Sequence, residues 1–558
     1  MNMREAHGSP WSKASIMKFP QESRGEPLDI VSEPTPKAIV VGSGPSGVSC
    51  SWSLLSAGWK VTMLDVGMNL ESARAAKLGA LQAVEPSGWN RAAEAAFLRE
   101  GISAGASGIP LKRAYGSDFP YRSVPGATAI ACEGVQTQAS LARGGFSNVW
   151  GSAMLPYRQQ DLAKWPIGES DLAPHYRAVL EHVPIAGRED DLARFFPLYG
   201  EPCRLPVSAQ AEALLERLEQ NRASLAAQKI VGGASRLAVR NDDTAPCRAC
   251  GLCMYGCPSG LIYCSSSSVD ELSSHPNFTY SAGHYVTRVA EKNGSAYLAG
   301  FDADSRATLE ISADRIFLAC GTVGTTGILL RSLDAWAKPV TMLDSQYFLL
   351  PSATLSGAGS VTNENLHTLA QAFIEVMDEK VSDYTIHLQV YTYNELYSQA
   401  IDATAGPLRS LVPKDFLLSR LLLLQGYLHS DESASMTCVL EKNADGDTLA
   451  ITRNENPVTA SAMRKVREKI LRASGASGLI PLLPLLRPGL PGRGFHSGGT
   501  FPMTLKPSGL ESDILGRPAG FRRIHAVDST VFSSIPATTI TLSAMANAHR
   551  IGTLTAQL

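Results

Sequence analysis

Residues 37–67 read KAIVVGSGPSGVSCSWSLLSAGWKVTMLDVG, and this stretch decides the fold. Its apolar run at 38–41 predicts a buried strand. A glycine-rich turn and a helical stretch follow, and residues 61–64 then predict a second strand that ends at Asp65. Strand, turn, helix and strand in this order form a βαβ unit, which implies a parallel sheet.

The turn carries glycines at positions 42, 44 and 47, which spell G-x-G-x-x-G. Gly42 permits the tight turn, Gly44 lets the backbone approach a pyrophosphate, and Gly47 lets the helix pack closely on the strand. The free N–H groups at the start of the helix can hold phosphates. Asp65, at the end of the second strand, is placed to accept hydrogen bonds from ribose hydroxyls. The stretch therefore predicts a Rossmann-type dinucleotide site.

The bulk composition bounds the rest of the molecule. A chain of 558 residues exceeds one compact core, so we expect two or three domains. The net charge of −2 implies no broad basic face, which argues against a nucleic-acid partner. Residues 1–36 are polar and lack the apolar core of a secretory signal, so we expect a cytoplasmic protein. No run of eighteen apolar residues occurs, so we expect no membrane-spanning helix.

Two apolar patches interrupt this pattern, at residues 416–424 and 479–490. We expect the first to be a buried element. The second, LIPLLPLLRPGL in its core, holds too many prolines for a helix and is expected to be a buried loop. Two alternatives stay open for it: an apolar entrance for a substrate, or peripheral contact with a membrane surface.

Four of the ten cysteines fall close together and spell C-x2-C-x2-C-x3-C-P, the spacing of bacterial ferredoxins. The run consists of Cys247, Cys250, Cys253 and Cys257. It predicts a [4Fe–4S] cluster, with Cys257, Cys264 or Cys203 as the fourth ligand. Zinc held by four thiolates is a minor alternative. In a third interpretation the loop binds no metal and packs beside the dinucleotide domain.

Further elements follow along the chain. The segment WPIGESDLAPHYRAVLE predicts a helix that Asp171 caps. Residues 277–312 alternate apolar and polar, which predicts a small antiparallel meander. Residues 315–332 repeat the strand, glycine turn and helix, and so add a parallel strand to the first sheet. Residues 336–490 contain strand-like runs such as DYTIHLQVYTY and are assigned to a separate substrate domain.

Together these pieces resemble the glucose-methanol-choline (GMC) family of FAD-dependent oxidoreductases, from Lys37 to the C-terminus. The matching segments, in family order, are GSGPSG with LDVG, ARGGFSNVWG, WPIGESDLAPHY, LACGTVGTTGILLRS, FHSGGTFPM and VDSTVFSSIPATTITLSAMANAHRIG. The resemblance implies an α/β fold: a discontinuous Rossmann-type FAD-binding domain with an inserted α+β substrate domain on an antiparallel sheet. The implied parts are a tail (1–36), the FAD domain (37–335, with a cysteine-rich insertion at about 240–268), the substrate domain (336–490) and a closing segment (491–558).

Site residues carry over from the same resemblance. It implies that the FAD pyrophosphate is cradled by Gly42, Gly44, Ser46 and Gly47. Asp65 would bind the adenosine ribose, and Val286 would contact the adenine through its backbone. Gly145 and Asn148 would lie near the pyrophosphate and the isoalloxazine. Asp528 would bind the ribityl or phosphate end, near the flavin.

The catalytic histidine of the family corresponds to His496, in HSGGTFPM. A neutral imidazole suits the removal of a hydroxyl proton because its pKa lies near working pH. The family's second His or Asn is replaced here by Thr539, or by Ile535 if the alignment shifts; a threonine hydroxyl can hydrogen-bond but cannot act as a base. His175 and His549 lie in family segments and are interpreted as structural.

The resemblance implies oxidation of an alcohol to a carbonyl, with His496 as base and FAD as hydride acceptor. We expect a sugar or sugar-derived hydroxyl, with a hydrophobic alcohol open because of residues 479–490. An external acceptor, oxygen, a quinone or a redox protein, would take the electrons, through the cluster if one is present. Two rivals stay open: a redox-neutral lyase on the same scaffold, suggested by the missing second polar residue, and a non-catalytic electron-transfer subunit.

Overall fold

The computed structural model describes residues 35–89, 97–98, 111–359, 361–394, 413–444 and 446–558. The predicted tail at 1–36 lies outside the described residues except at its last two positions. Pro36–Leu558 form one compact unit. The proposed boundaries at 335 and 490 therefore stay a prediction.

The strands and helices of the described residues follow in chain order. The strands are β1 (Lys37–Val41), β2 (Lys60–Leu64), β3 (Ala129–Glu133), β4 (Ile230–Ala234), β5 (Phe278–Ser281), β6 (His284–Lys292), β7 (Ser295–Asp302), β8 (Thr308–Ala313), β9 (Arg315–Leu318), β10 (Val340–Asp344), β11 (Tyr347–Thr354), β12 (Ala372–Val376), β13 (Ile386–Tyr391), β14 (Leu421–Tyr427), β15 (Ser435–Asn443), β16 (Gly446–Asn454), β17 (Leu479–Pro481), β18 (Arg487–Pro488), β19 (Ser497–Gly498) and β20 (Ile524–Ala526). The helices are α1 (Pro45–Ser56), α2 (Ser72–Gln82), α3 (Glu169–Leu180), α4 (Ala209–Gln220), α5 (Arg222–Ala227), α6 (Ser265–Leu272), α7 (Gly321–Ser332), α8 (Lys414–Leu418), α9 (Thr459–Arg472), α10 (Ser474–Ser477) and α11 (Ile540–Thr555).

The central parallel sheet has the order β20-β9-β1-β2-β5. All four of its strand pairs are parallel. Its strands are short apolar runs with few exposed positions, as a sheet covered on both faces requires. Because β20 comes from the far end of the chain and pairs with β9, the predicted discontinuous Rossmann-type domain is confirmed.

The predicted meander is largely correct, with one correction at its start. Strands β6, β7 and β8 form a three-stranded antiparallel sheet. The strand before them, β5, pairs in parallel with β2 instead, so it belongs to the central sheet. The alternating pattern could not separate the two, because Phe278–Ser281 is too short to show whether one face or both are buried.

A large antiparallel sheet follows the order β17-β11-β14-β13-β12-β4, with β18 also paired to β11. It agrees with the antiparallel substrate sheet that the resemblance implied. Strand β4 joins it from residues assigned to the FAD domain. A further sheet, β19-β10-β15-β16-β3, likewise joins strands from separate parts of the chain. The sheets therefore tie sequence-distant segments together.

Three local expectations are corrected by the structure. Helix α3 begins at Glu169 after Gly168, and Asp171 lies inside its first turn, where its carboxylate accepts from the Gly168 N–H at 2.8 Å. Residues 416–424 are not uniformly buried, since Phe416 is 50% exposed at the start of α8. Residues 479–490 are not a buried loop either, since Leu485 is 44% exposed. Within the described part of the chain, no helix combines the length and apolar character needed to cross a membrane.

Candidate active site

One large cavity, of about 1650 Å³, is bordered by both the parallel sheet and the large antiparallel sheet. From the parallel sheet it takes the glycine turn after β1 and the acid after β2. From the antiparallel sheet it takes side chains of β11, β13 and β14. The last segment of the chain adds His496, Asp528 and Thr539. Residues that are far apart in sequence therefore share a single space.

The glycine turn has the shape that a pyrophosphate requires. A Cβ on Gly42, whose φ is +102°, would lie 2.4 Å from the carbonyl oxygen of Ala319, and one on Gly47 would lie 2.0 Å from the carbonyl oxygen of Gly42. Both positions are therefore closed to any side chain. A Cβ on Gly44 meets nothing within 4 Å, because that position opens into the cavity beside Ser46 at the start of α1. The open helix N-terminus is thus free to receive an anion.

The acid at the end of β2 is held by a small hydrogen-bond network. The Ser43 hydroxyl donates to the Asp65 carboxylate and accepts from the Gly144 N–H at 2.9 Å. Tyr280 donates to Asp65 from 3.4 Å. Burial raises the pKa of Asp65 to about 6, and these donors act against that rise. Asp65 also lines the cavity, so its carboxylate is available to ribose hydroxyls.

The other predicted cofactor residues take different positions. Gly145 and Val286 line the cavity, and a Cβ on Gly145 would lie 3.5 Å from the Cα of Gly44. Asn148 does not line the cavity; its amide donates to the backbone oxygens of Arg143 and Gly145 at 2.9 and 2.7 Å and so holds the turn. Asn148 is therefore a support of the site rather than part of its surface.

Asp528 lies at the carboxyl end of β20, where it borders the cavity. Its carboxylate accepts from the Thr530 N–H at 3.0 Å and from the Thr325 hydroxyl at 2.5 Å. Burial raises the pKa of Asp528 above its usual range. The carboxylate is thus fixed in place at the same edge of the sheet as the glycine turn.

His496 lies in the cavity with an unusual environment for a histidine. Burial, with a smaller contribution from His387, lowers its pKa to about 4. Its ring stacks on Tyr427, with centroids 4.9 Å apart and planes 22° apart. No group in the described part of the chain hydrogen-bonds its Nδ1 atom. The imidazole is therefore neutral at neutral pH and carries an unused nitrogen.

The predicted partner of His496 is only partly available. Thr539 lines the cavity at the start of α11, and its Oγ1 accepts from the Leu155 N–H at 2.7 Å. The alternative, Ile535, is fully buried and does not border the cavity. The two histidines interpreted as structural, His175 and His549, contact each other at 2.9 Å outside the cavity.

The cysteine run does not form a metal site among the described residues. Burial raises the pKa of Cys250 to about 11 and that of Cys253 to about 12, and the nearby Cys257 adds to both. Among the side chains that the structure describes, no three His, Cys, Asp or Glu groups are placed to hold an ion. The predicted [4Fe–4S] cluster is not supported, and we derive no electron path through it.

The same thiols pack as apolar side chains. Cys253 is buried in a cluster with Leu261, Leu369 and Phe373, and Cys247, Cys257 and Cys203 pack against that cluster. Cys264 lies apart, within 3.4 Å of the Asn148 side chain. This arrangement agrees with the interpretation in which the loop packs beside the dinucleotide domain, because Met254 from the same loop borders the cavity.

Sequence reasoning missed the wall opposite the glycine turn. Alternate residues of β11, β13 and β14 line the cavity, among them Leu349, Gln389, Tyr391, Leu423 and Tyr427. The signal was present in DYTIHLQVYTY, where positions 387, 389 and 391 are polar or aromatic at the two-residue period of a strand. That period indicates which residues share one face of the sheet, but it does not indicate whether that face borders a core or a cavity.

Comparisons with known proteins agree with this architecture. Residues 127–333 match the family model of GMC oxidoreductases. Pyridoxine 4-oxidase from Mesorbium loti superposes with a TM-score of 0.55 at 16% identity, covering 93% of this chain and 98% of that one. An FAD-dependent oxidoreductase from Chaetomium thermophilum superposes with a TM-score of 0.58 at 13% identity, covering 94% and 99%. No curated protein matches the sequence.

The match over residues 127–333, together with the shared fold of the two superposed structures, supports an FAD-dependent oxidoreductase of the GMC type. Residues 127–333 carry the GMC match, and that match supports flavin-dependent oxidation of an alcohol-type substrate. The residues present fit FAD: the glycine turn is open, Asp65 lines the same cavity, and that cavity reaches His496.

Proposed function

We propose that this protein oxidises the hydroxyl of an alcohol with a substantial apolar part, and that His496 receives the hydroxyl proton. The observation that carries the proposal is the presence of His496 in the same cavity as the glycine turn and Asp65. When bound, FAD supplies the hydride acceptor. The external oxidant is oxygen, a quinone or a redox protein, as the sequence analysis expects.

The chemical task of His496 is to hold the substrate hydroxyl and accept its proton. A neutral imidazole nitrogen accepts a hydrogen bond from a hydroxyl, and burial keeps it neutral because it disfavours the imidazolium. The Tyr427 ring beneath it restricts the orientation of the imidazole. Thr539 takes a supporting role, since its oxygen already accepts the Leu155 N–H.

The cavity wall supports an apolar substrate rather than the sugar expected from the sequence. On the antiparallel sheet, the wall beyond Tyr427 carries Leu349, Pro351, Leu421 and Leu423 around the polar Gln425, and Leu485 lies at the surface; we call the five leucine and proline residues the apolar wall. Six residues of β14 separate Tyr427 from Leu421, which corresponds to roughly 20 Å of strand. A sugar would leave this surface in contact with water, whereas an alkyl or aryl group would cover it.

The test of this proposal is anaerobic single-turnover reduction of the bound flavin by primary alkanols. We expect bleaching of the flavin absorption, faster and with tighter binding as the alkyl chain lengthens. His496→Asn should slow flavin reduction by at least ~10²-fold, the scale of a lost general base. The matched control is His549→Asn, which removes an imidazole that lies outside the cavity.

Two results would contradict the proposal in different ways. Product formation with the flavin still oxidised would favour a redox-neutral lyase. Unchanged activity in His496→Asn would favour a subunit that only relays electrons. A preference for sugars over alkanols would retain the oxidoreductase but overturn the apolar substrate.

A further inference from the structure

A line of polar side chains crosses the middle of the antiparallel sheet and ends at the cavity. Glu375 on β12 lies directly opposite His387 on β13, and both are fully buried. Two and four residues further along β13, on the same face, come Gln389 and Tyr391, which line the cavity. We call these four residues the polar line.

Each member of the polar line is hydrogen-bonded to the next. His387 Nδ1 lies 2.7 Å from Glu375 Oε1, and His387 Nε2 lies 3.2 Å from the side-chain nitrogen of Gln389. The Tyr391 hydroxyl donates to Gln389 Oε1 at 2.9 Å. The buried pair at one end is therefore connected to the cavity surface at the other.

The chemistry of the groups sets the direction of these bonds. Because the side-chain nitrogen of Gln389 can only donate, His387 accepts at Nε2 and donates from Nδ1 to Glu375. Gln389 then donates its amide N–H to His387 and accepts the Tyr391 proton. Because that proton is used inside the line, the Tyr391 oxygen offers a lone pair to the cavity, and Gln389 keeps a second N–H.

The stability of the fold does not require the buried polar side chains of the polar line. A buried pair of hydrogen-bonded polar side chains adds little to stability compared with apolar side chains of similar size. Glu375 Oε2 also has no hydrogen-bond partner in the described part of the chain, which adds a desolvation cost. What the pair does achieve is a single orientation of Gln389 and Tyr391, since each has its partner fixed from behind.

The polar line lies on the same wall as the proposed base. His387 is opposite Tyr427 on β14, with ring centroids 6.0 Å apart, and Tyr427 stacks on His496. Gln389 and Tyr391 follow along β13 at roughly 7 and 13 Å from the level of that stack. A substrate that places its reacting hydroxyl at His496 would extend past both.

We propose that Gln389 and Tyr391 recognise a second polar group of the substrate, a hydroxyl or an N–H, and that Glu375 and His387 act as positioning residues for them. The inference rests on the proposed function, which it refines: the substrate is an apolar alcohol with a second hydrogen-bond donor. A site built in this way rejects analogues without the donor, because its own polar groups are then left unpaired.

The experiment compares α,ω-alkanediols with primary alkanols of the same chain length on the flavin-loaded enzyme. We expect the diol to be preferred in kcat/KM by ~10-fold or more at the chain length that reaches Tyr391, the equivalent of about one satisfied buried hydrogen bond. The preference should fall to about one in Gln389→Leu and Tyr391→Phe. It should fall in Glu375→Gln as well, although Glu375 touches no substrate.

The matched control is Tyr384→Phe, which removes a tyrosine hydroxyl that donates to Asp431 outside the cavity. This variant should keep the wild-type diol preference. General damage to the fold would lower the rates for diol and alkanol together, so the ratio separates recognition from structure. Alcohols that reduce the flavin with no diol preference, or a preference unchanged in Tyr391→Phe, would overturn the inference.

A binding measurement keeps the two proposals separable. Titration of His496→Asn with the same diols and alkanols, followed by the perturbation of the flavin spectrum, reports affinity without turnover. A diol preference in binding without flavin reduction in the wild type would overturn the proposed function and leave the recognition site. No preference in either measurement would overturn the recognition site.

Discussion

At the scale of single residues, Gly44 and Gly47, the two glycines at the start of α1, have different roles. A Cβ on Gly47 would lie 2.0 Å from a backbone oxygen, whereas a Cβ on Gly44 enters open space in the cavity. Gly47→Ala should therefore destabilise the folded protein, by about 1–3 kcal/mol for overpacking. Gly44→Ala should leave the apoprotein stable and weaken FAD binding. Urea denaturation of the apoproteins and FAD titration distinguish the two effects.

The contrast between the two variants is itself the control. Both replace a glycine of the same turn by the same side chain, three residues apart. If Gly44→Ala lost stability and Gly47→Ala lost only FAD affinity, the assignment of the open position to the pyrophosphate would be wrong.

The pKa of His496 gives a prediction for the pH dependence of flavin reduction. Burial lowers that pKa to about 4, so lowering the pH from neutral to about 5 does not protonate the base. The rate constant of flavin reduction should stay level over this range and decline tenfold per pH unit below about 4. An exposed histidine would instead lose half its activity near pH 6.5.

Single-turnover reduction at saturating alcohol, measured from pH 8 down to about pH 4, checks this expectation. Flavin occupancy must be recorded at each pH because burial raises the pKa of Asp65 to about 6, and we expect protonation of that carboxylate to weaken FAD binding. A half-maximal rate near pH 6.5 with full flavin occupancy would show that His496 is exposed, or that another group limits the reaction.

The sequence predicts the position of some of these residues correctly, but not that of Asn148. The positions of Gly42, Gly44, Gly47 and Asp65 could be predicted because each depends on local backbone geometry and on a fixed place in one βαβ unit, while their roles toward FAD stay predictions. Asn148 does not line the cavity, and its amide is used by hydrogen bonds within the turn. No pattern in the sequence states which bond a side chain will prefer.

At the scale of elements, helices α1 and α11 pack closely at one glycine. A Cβ on Gly552 would lie 2.1 Å from the Ser53 hydroxyl, which donates to the Cys50 carbonyl at 2.8 Å. We expect Gly552→Ala to lower the free energy of unfolding by about 1–3 kcal/mol, because the overpacking exceeds the gain in helix propensity. Ser53→Ala removes the obstructing oxygen and should rescue the variant.

A double-mutant cycle measured by urea denaturation tests this pair. The coupling energy between Gly552→Ala and Ser53→Ala should be at least about 1 kcal/mol in the stabilising direction, since the two sites touch. Additive effects would mean that the helices adjust their separation, and the close approach at Gly552 would then have no energetic role.

Helices and strands could be predicted where a single spacing of apolar residues dominated the sequence. The helix 321–332 and the strands β6, β7 and β8 follow their expected patterns. Segment 479–490 was not predicted correctly. An apolar sequence does not indicate whether its side chains pack in a core or line a cavity. Leu485 is exposed at the rim of that cavity, a position set by β17 and β18 pairing with β11.

At the scale of the whole molecule, the limit of prediction is the pairing of distant segments. The contacts between β20 and β9, and between β4 and β12, join parts of the chain separated by more than one hundred residues. Local periodicity carries no information on such pairs. The cysteine run shows the same limit: its spacing matches a ferredoxin, yet the described thiols pack into an apolar cluster that Phe373 of β12 completes.

Because distant segments of the chain form the cavity together, we expect FAD binding to raise the stability of the folded protein. Gly44, Gly145 and Asp528 border one cavity but come from the beginning, the middle and the end of the chain. FAD bound in this cavity would contact all three regions, and we expect it to bind the folded state alone. At one hundred times the Kd it should stabilise the protein by about 2.7 kcal/mol, so the melting temperature should rise with the logarithm of FAD concentration. Thermal denaturation of deflavinated protein across an FAD series measures this.

Gly44→Ala supplies the control, since its smaller affinity for FAD should shift the curve to higher FAD concentration while leaving the melting temperature of the apoprotein unchanged. A melting temperature that is independent of FAD would mean that the three regions do not enclose the cofactor together, and the active site assigned to His496 would lose its foundation.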